Sequence, residues 1–89
     1  MTKDNLTYLD VDEHLVEGIR KFHAKGLEVC AEVGAILDVA SSDVALHVYA
    51  PDKEAAQAVA DVYGTTAQYE KNMLPSGFTK KMPWYCIEV

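Results

Sequence analysis

Between Val44 and Ala50 the apolar residues Leu46 and Val48 alternate with His47 and Tyr49, the clearest strand pattern in the chain. A helical period precedes it. Leu15, Ile19 and Phe22 recur at helical spacing with Val11 and Val16 beside them, which predicts a helix over residues 11–25. Asp10 or Asp12 can cap its start, and Glu13 stands three residues after Asp10 as in a capping box. Asp12, Glu13 and Glu17 fall in the early turns and Arg20, Lys21 and Lys25 in the late ones, the order that the helix dipole favours. Gly26 then suits a left-handed stop, with Leu27 as its apolar partner.

The stretch after Gly26 reads two ways. Leu27, Val29, Ala31 and Val33 alternate with Glu28, Cys30 and Glu32, which favours a strand, with Gly34 as a bulge. Cys30 to Ala40 also passes as helix, because Ala, Glu and Leu are good helix formers. The alternation predicts a strand here. Ser41-Ser42-Asp43 is a turn cluster. Pro51 and Asp52 open a second helix over 52–63, with Ala55, Ala58, Val59 and Val62 as its buried stripe and Gly64 at its end. So many alanines let a helix lie close on a sheet. Residues 66–71 form a strand around Tyr69, 74–77 a loop, and 82–89 a last strand whose start Pro83 places at a sheet edge or a strand end, because it cannot donate to a ladder. Residues 5–9 alternate weakly and supply a first strand.

The order β-α-β-β-α-β-β predicts one α+β domain spanning residues 1–89, a two-layer sandwich. It is a variant of the ferredoxin-like plait, with a mostly antiparallel sheet and two helices on one face. Leu15, Ile19, Phe22, Leu46, Val48, Val59 and Val62 are its expected core.

Composition narrows the function more than the fold does. In 89 residues the formal net charge is −6, and the excess is concentrated. Residues 26–64 carry seven acids (Glu28, Glu32, Asp38, Asp43, Asp52, Glu54, Asp61) against Lys53 alone. Phosphate-backbone binding needs clustered Lys and Arg, so direct nucleic-acid binding is not expected. An acidic centre suits a basic protein partner, or simply keeps the surface soluble. There is no long apolar run and no secretory signal pattern, so no membrane association and a cytoplasmic location are expected.

Chemical motifs are sparse. Cys30 and Cys86 fall in no metal-ligand spacing, and packed strand thiols are their plain reading. His14 and His23 stand nine apart and make no i, i+4 ligand pair, so neither metal nor cofactor is expected. His47 should face away from Leu46 and Val48 beside Tyr49, where Trp84 or Tyr85 could join it if the strands are neighbours. It could also pair with Cys86 as imidazole and thiol. Tyr49, Tyr69, Trp84 and Tyr85 all lie on expected strands, and Tyr and Trp are enriched at interfaces. The Leu9–Asp12 region is acidic and lacks both the Arg and the Gly that an acylphosphatase-like loop would need.

The function expected is therefore a small, acidic, non-enzymatic protein-binding domain. It would inhibit or modulate a partner by occluding its surface, in the sharpest version as a phage-type inhibitor of a nucleic-acid-binding host enzyme, of the anti-CRISPR kind. The partner-binding residues expected are Glu28, Glu32, Asp38, Asp43, His47, Tyr49, Glu54, Asp61, Tyr69 and Trp84. The alternatives are a homodimeric, ligand-sensing regulatory domain that binds a small molecule and, behind it, a cofactor-free enzyme with His47 as acid–base group.

Overall fold

A computed structural model describes residues 5–9, 12–40, 46–75 and 78–87. The element order is β1 (Leu6–Leu9), α1 (Glu13–Phe22), α2 (Ala24–Val33), β2 (Ile36–Ala40), β3 (Leu46–Tyr49), α3 (Lys53–Val62), β4 (Ala67–Met73) and β5 (Met82–Ile87). The strands form one five-stranded sheet in the order β1-β2-β3-β5-β4. β1 runs parallel to β2, and the other three pairings are antiparallel. Among the described residues the fold is α+β with a mixed sheet and three helices. The strand order departs from the expected plait, because β1 and β2 are adjacent and parallel and are joined through a pair of helices.

That helix pair corrects the strand expected after Gly26. Residues 24–33 are helical, and the left-handed stop falls at Gly34, with φ 74° and the Ala35 N–H reaching back 2.9 Å to the Cys30 carbonyl. Gly26 instead lies buried inside α2, where a Cβ would collide with the Tyr63 hydroxyl. Its small size is what the local packing uses. The helix expected over 11–25 ends at Phe22, with His23 as a one-residue break before α2. At that break His23 Nδ1 and the Tyr63 hydroxyl lie 2.7 Å apart. The end of α3 is thereby tied to the α1–α2 junction.

Other expectations are met in part. Asp52 caps α3, its Oδ1 accepting from the Ala55 N–H at 2.8 Å. Asp12 occupies the cap position of α1 without a side-chain capping bond, and Asp10 lies outside the described residues. The strand expected over 44–50 is present at Leu46–Tyr49, with 44 and 45 outside the described residues. Gln57 bridges α3 to the start of β4, its Oε1 accepting from the Ala67 N–H at 3.2 Å and its Nε2 donating to the Thr65 carbonyl at 3.0 Å.

Strand register sorts the sheet into two faces. Leu6, Leu37, Val48 and Tyr85 form one cross-strand row, and Leu46, Ile87 and Ala67 another. All belong to one buried cluster with Val16, Cys30, Ala55, Ala56, Val59 and Ala60 of the helices. This face therefore carries the helices. Of the expected core, Leu46, Val48 and Val59 are buried and Ile19 packs against them, while Val62 is half-buried. Leu15 and Phe22 do not join them, being 52% and 82% exposed. The helix is rolled so that Val16, expected beside the stripe, joins Ile19 against the core, while Leu15 and Phe22 of the same stripe turn outward.

Leu46→Ala should cost about 2–5 kcal/mol, as large-to-small core changes do, and Gly26→Ala about 1–3 kcal/mol by overpacking against Tyr63. Leu15→Ala should cost under about 0.5 kcal/mol, as exposed positions do. Urea denaturation ranks the three, and a Leu15 variant as damaged as the Leu46 variant would mean that α1 is rolled the other way.

A second expectation concerns acid. Burial lowers the His23 pKa from its ordinary 6.5, so on acidification the unfolded chain takes up this proton first. The stability held by neutral His23 is complete above 6.5 and is lost as pH falls from there through the lower folded value. The thermal midpoint should fall from about pH 7 to about pH 5. His23→Gln should flatten that part of the profile, and an equal slope in the variant would assign the loss to other groups.

Candidate functional site

The face of the sheet away from the helices is polar at its centre. Thr7, Asp38, His47, Cys86 and Gln68 line up as direct cross-strand partners on β1, β2, β3, β5 and β4. Next to this row, Tyr49 pairs with Ile36 and with Trp84. His47, Tyr49 and Ile36 are buried although they point away from the helix layer.

Trp84 organises the row. Its indole is stacked on the His47 imidazole, with ring centroids 4.0 Å apart and planes within 7° of parallel. Its Nε1 donates to Asp38 Oδ2 at 2.9 Å, and the other carboxylate oxygen accepts from the Thr7 hydroxyl at 2.8 Å. Both Asp38 oxygens are thus engaged, and Asp38 acts as the anchor that sets the indole plane. Lys71 brings its ammonium to 5.7 Å from the Trp84 ring centre, within cation–π range. The Tyr49 phenol is pushed above its ordinary pKa of 10.0 by burial first and then by the Asp38 charge.

Register places His47 and Cys86 directly opposite each other, so their side chains leave the sheet side by side. Glu70 joins them through an irregularity. The β4–β5 register runs Tyr69↔Tyr85 and then Lys71↔Trp84, which leaves Glu70 as the extra residue of a bulge. Donor atoms of His47, Glu70 and Cys86 all lie within 4.8 Å of one another. Imidazole, carboxylate and thiol are the donor types of transition-metal sites. They are also the set from which a thiol–imidazole pair is built.

The expected partner-binding residues divide between two layers. Glu28 and Glu32 on α2 and Glu54 and Asp61 on α3 are exposed on the helix layer, where Asp61 accepts from Gln57 at 2.9 Å. Asp38, His47, Tyr49 and Trp84 meet on the opposite face of the sheet. Tyr69 is exposed on the edge strand β4, edge-on to Tyr85 at 5.6 Å. Asp43 lies outside the described residues. Trp84 does join His47, whereas Tyr85 faces the helices. Cys30 sits in the helix-side core, its thiol pushed up to about 12 by burial, and the two cysteines form no disulfide. Nothing in the sequence pattern marks Glu70 as a site residue.

No protein-family model, curated protein or solved structure matches the chain. Among the described residues no helix is long and apolar enough to cross a membrane.

Since Trp84 is the single tryptophan, its emission reports the row directly. Asp38→Ala should shift that emission to the red and cost about 1–3 kcal/mol, the usual loss when a hydrogen bond to a charged group is removed. Unchanged emission would show that Asp38 does not hold the indole.

Proposed function

We propose that the chain is a protein-binding module that acts by covering a partner's surface, with α1 as its contact ridge. The observation that carries this reading is the exposure of Leu15 and Phe22. They stand seven residues, or two turns, apart on one side of α1, and both are turned to water. A helix that buries Val16 and leaves a Phe 82% exposed presents apolar area that its own fold does not use. Helix ridges of this kind dock into apolar grooves through anchors at such spacings.

Charge describes the surroundings of that groove. The chain is acidic overall, at −6, and Glu28, Glu32, Glu54 and Asp61 are exposed on α2 and α3. A partner with basic residues around its groove would be drawn in faster and held in register. The sharper version, a phage-type inhibitor laid over the nucleic-acid groove of a host enzyme, rests on the same charge and on the small size of the chain. Asp38 takes no part in it, since its carboxylate is committed to Trp84 and Thr7 on the other face.

The test compares wild type with Leu15→Ser/Phe22→Ser by cross-linking and native mass spectrometry in lysate, at low and high salt. The double variant should keep its thermal midpoint and lose the partner. Glu28→Lys/Glu32→Lys should keep the partner at equilibrium but slow its association at low salt, the difference fading as salt is added. Equal capture by wild type and the apolar variant would remove α1 as the ridge. A cross-link solely to a second copy of the chain would replace the partner reading with self-association.

A further inference from the structure

We propose that His47, Glu70 and Cys86 form a divalent transition-metal site, with a donor set that suits zinc, on the sheet face away from the helices. This is independent of α1 and of the partner reading. Three observations carry it. The donor atoms converge within 4.8 Å of one another, close enough that a small shift, with the exposed Glu70 side chain turning in, would let one ion bond all three at the roughly 2.0–2.3 Å of zinc to nitrogen, oxygen and sulfur. Two of the ligands are fixed by the β3–β5 register, in which His47 and Cys86 are direct partners. The third comes from the bulge of β4, a device that re-aims a side chain out of the regular pleat.

The surroundings fit the assignment. The His47 ring is stacked on Trp84, and Trp84 is tethered to Asp38, which is itself held by Thr7. The imidazole plane is therefore set by the stack before any ion arrives. A thiolate and an imidazole select against calcium and magnesium, which take oxygen ligands. Glu70 is exposed on the edge strand, so water can reach the site to fill a fourth position. Three protein ligands with one open position is the arrangement of reactive rather than purely structural zinc. On binding, the Cys86 thiol gives its proton to solvent as its sulfur bonds the ion.

Cobalt(II) is the probe. The full chain, reduced and stripped of metal with chelator, is titrated with cobalt and followed by absorption and by Trp84 fluorescence. One equivalent should produce a sulfur-to-cobalt charge-transfer band and quench the indole stacked on His47, and zinc should bleach the band by displacement. Cys86→Ser should abolish the band. Glu70→Gln, at an exposed position that leaves the fold intact by circular dichroism, should weaken binding at least about tenfold, the cost of losing even an outer partner. Cys30→Ala should keep the band, since Cys30 lies in the core on the other side of the sheet. Wild type without the band, a band that survives Cys86→Ser, or Glu70→Gln with wild-type affinity would each overturn the site.

Discussion

β5 is inserted between β3 and β4, and its alternation supplies both faces of the sheet. Tyr85 and Ile87 enter the helix-side core, while Trp84 and Cys86 meet His47 on the far face. Because the side-chain period of a strand is two, a slip of one residue in β5 would exchange these sets. It would place an indole and a thiol under α3 and leave Tyr85 and Ile87 outside. The buried Ile87 and the stack of Trp84 on His47 thus depend on one register. The β4 bulge lets the outer strand keep its pairing with β5 on both sides of Glu70, so the edge adapts to β5.

The helix layer rests on a different constraint, the fit of small residues. Gly26 and Cys30 on α2 and Ala55, Ala56 and Ala60 on α3 are all buried. Tyr63, just past the end of α3, lies against Gly26 and reaches His23. Burial, and behind it the neighbouring Cys30, pushes the Tyr63 phenol up to about 12. A hydroxyl held so firmly in its neutral form is a dependable partner for an imidazole that burial also keeps neutral.

These constraints explain what could be read from the residues in order. β3 and α3 were legible because their signals are local: strict alternation at Leu46–Tyr49, and a cap at Asp52 with an alanine stripe behind it. Residues 27–33 mislead because Leu27, Val29 and Val33 alternate like a strand, while the buried positions of the helix, Gly26 and Cys30 four apart, are small, and the size of Gly26 serves the approach of Tyr63. Gly26 suits a helix stop as well as a close contact, and sequence alone does not choose between them. The pairing of His47 with Trp84 was foreseeable from strand parity. Glu70 was not, because it reaches the cluster through a bulge, a feature of strand pairing that leaves no mark on β4 itself.

The two proposed surfaces lie on opposite sides of the sheet, which makes them separable. α1 packs Val16 and Ile19 onto the helix-side core, and the His47–Glu70–Cys86 group lies beyond the strands. No residue is shared between them. Changes at sites without shared partners add in free energy within a few tenths of a kcal/mol. A variant combining Phe22→Ser with Glu70→Gln should therefore show partner loss and weakened cobalt binding, each as large as in its single variant. A departure from that sum would mean that the sheet transmits a change between its faces, and β5, whose residues alternate between them, is the element through which it would pass.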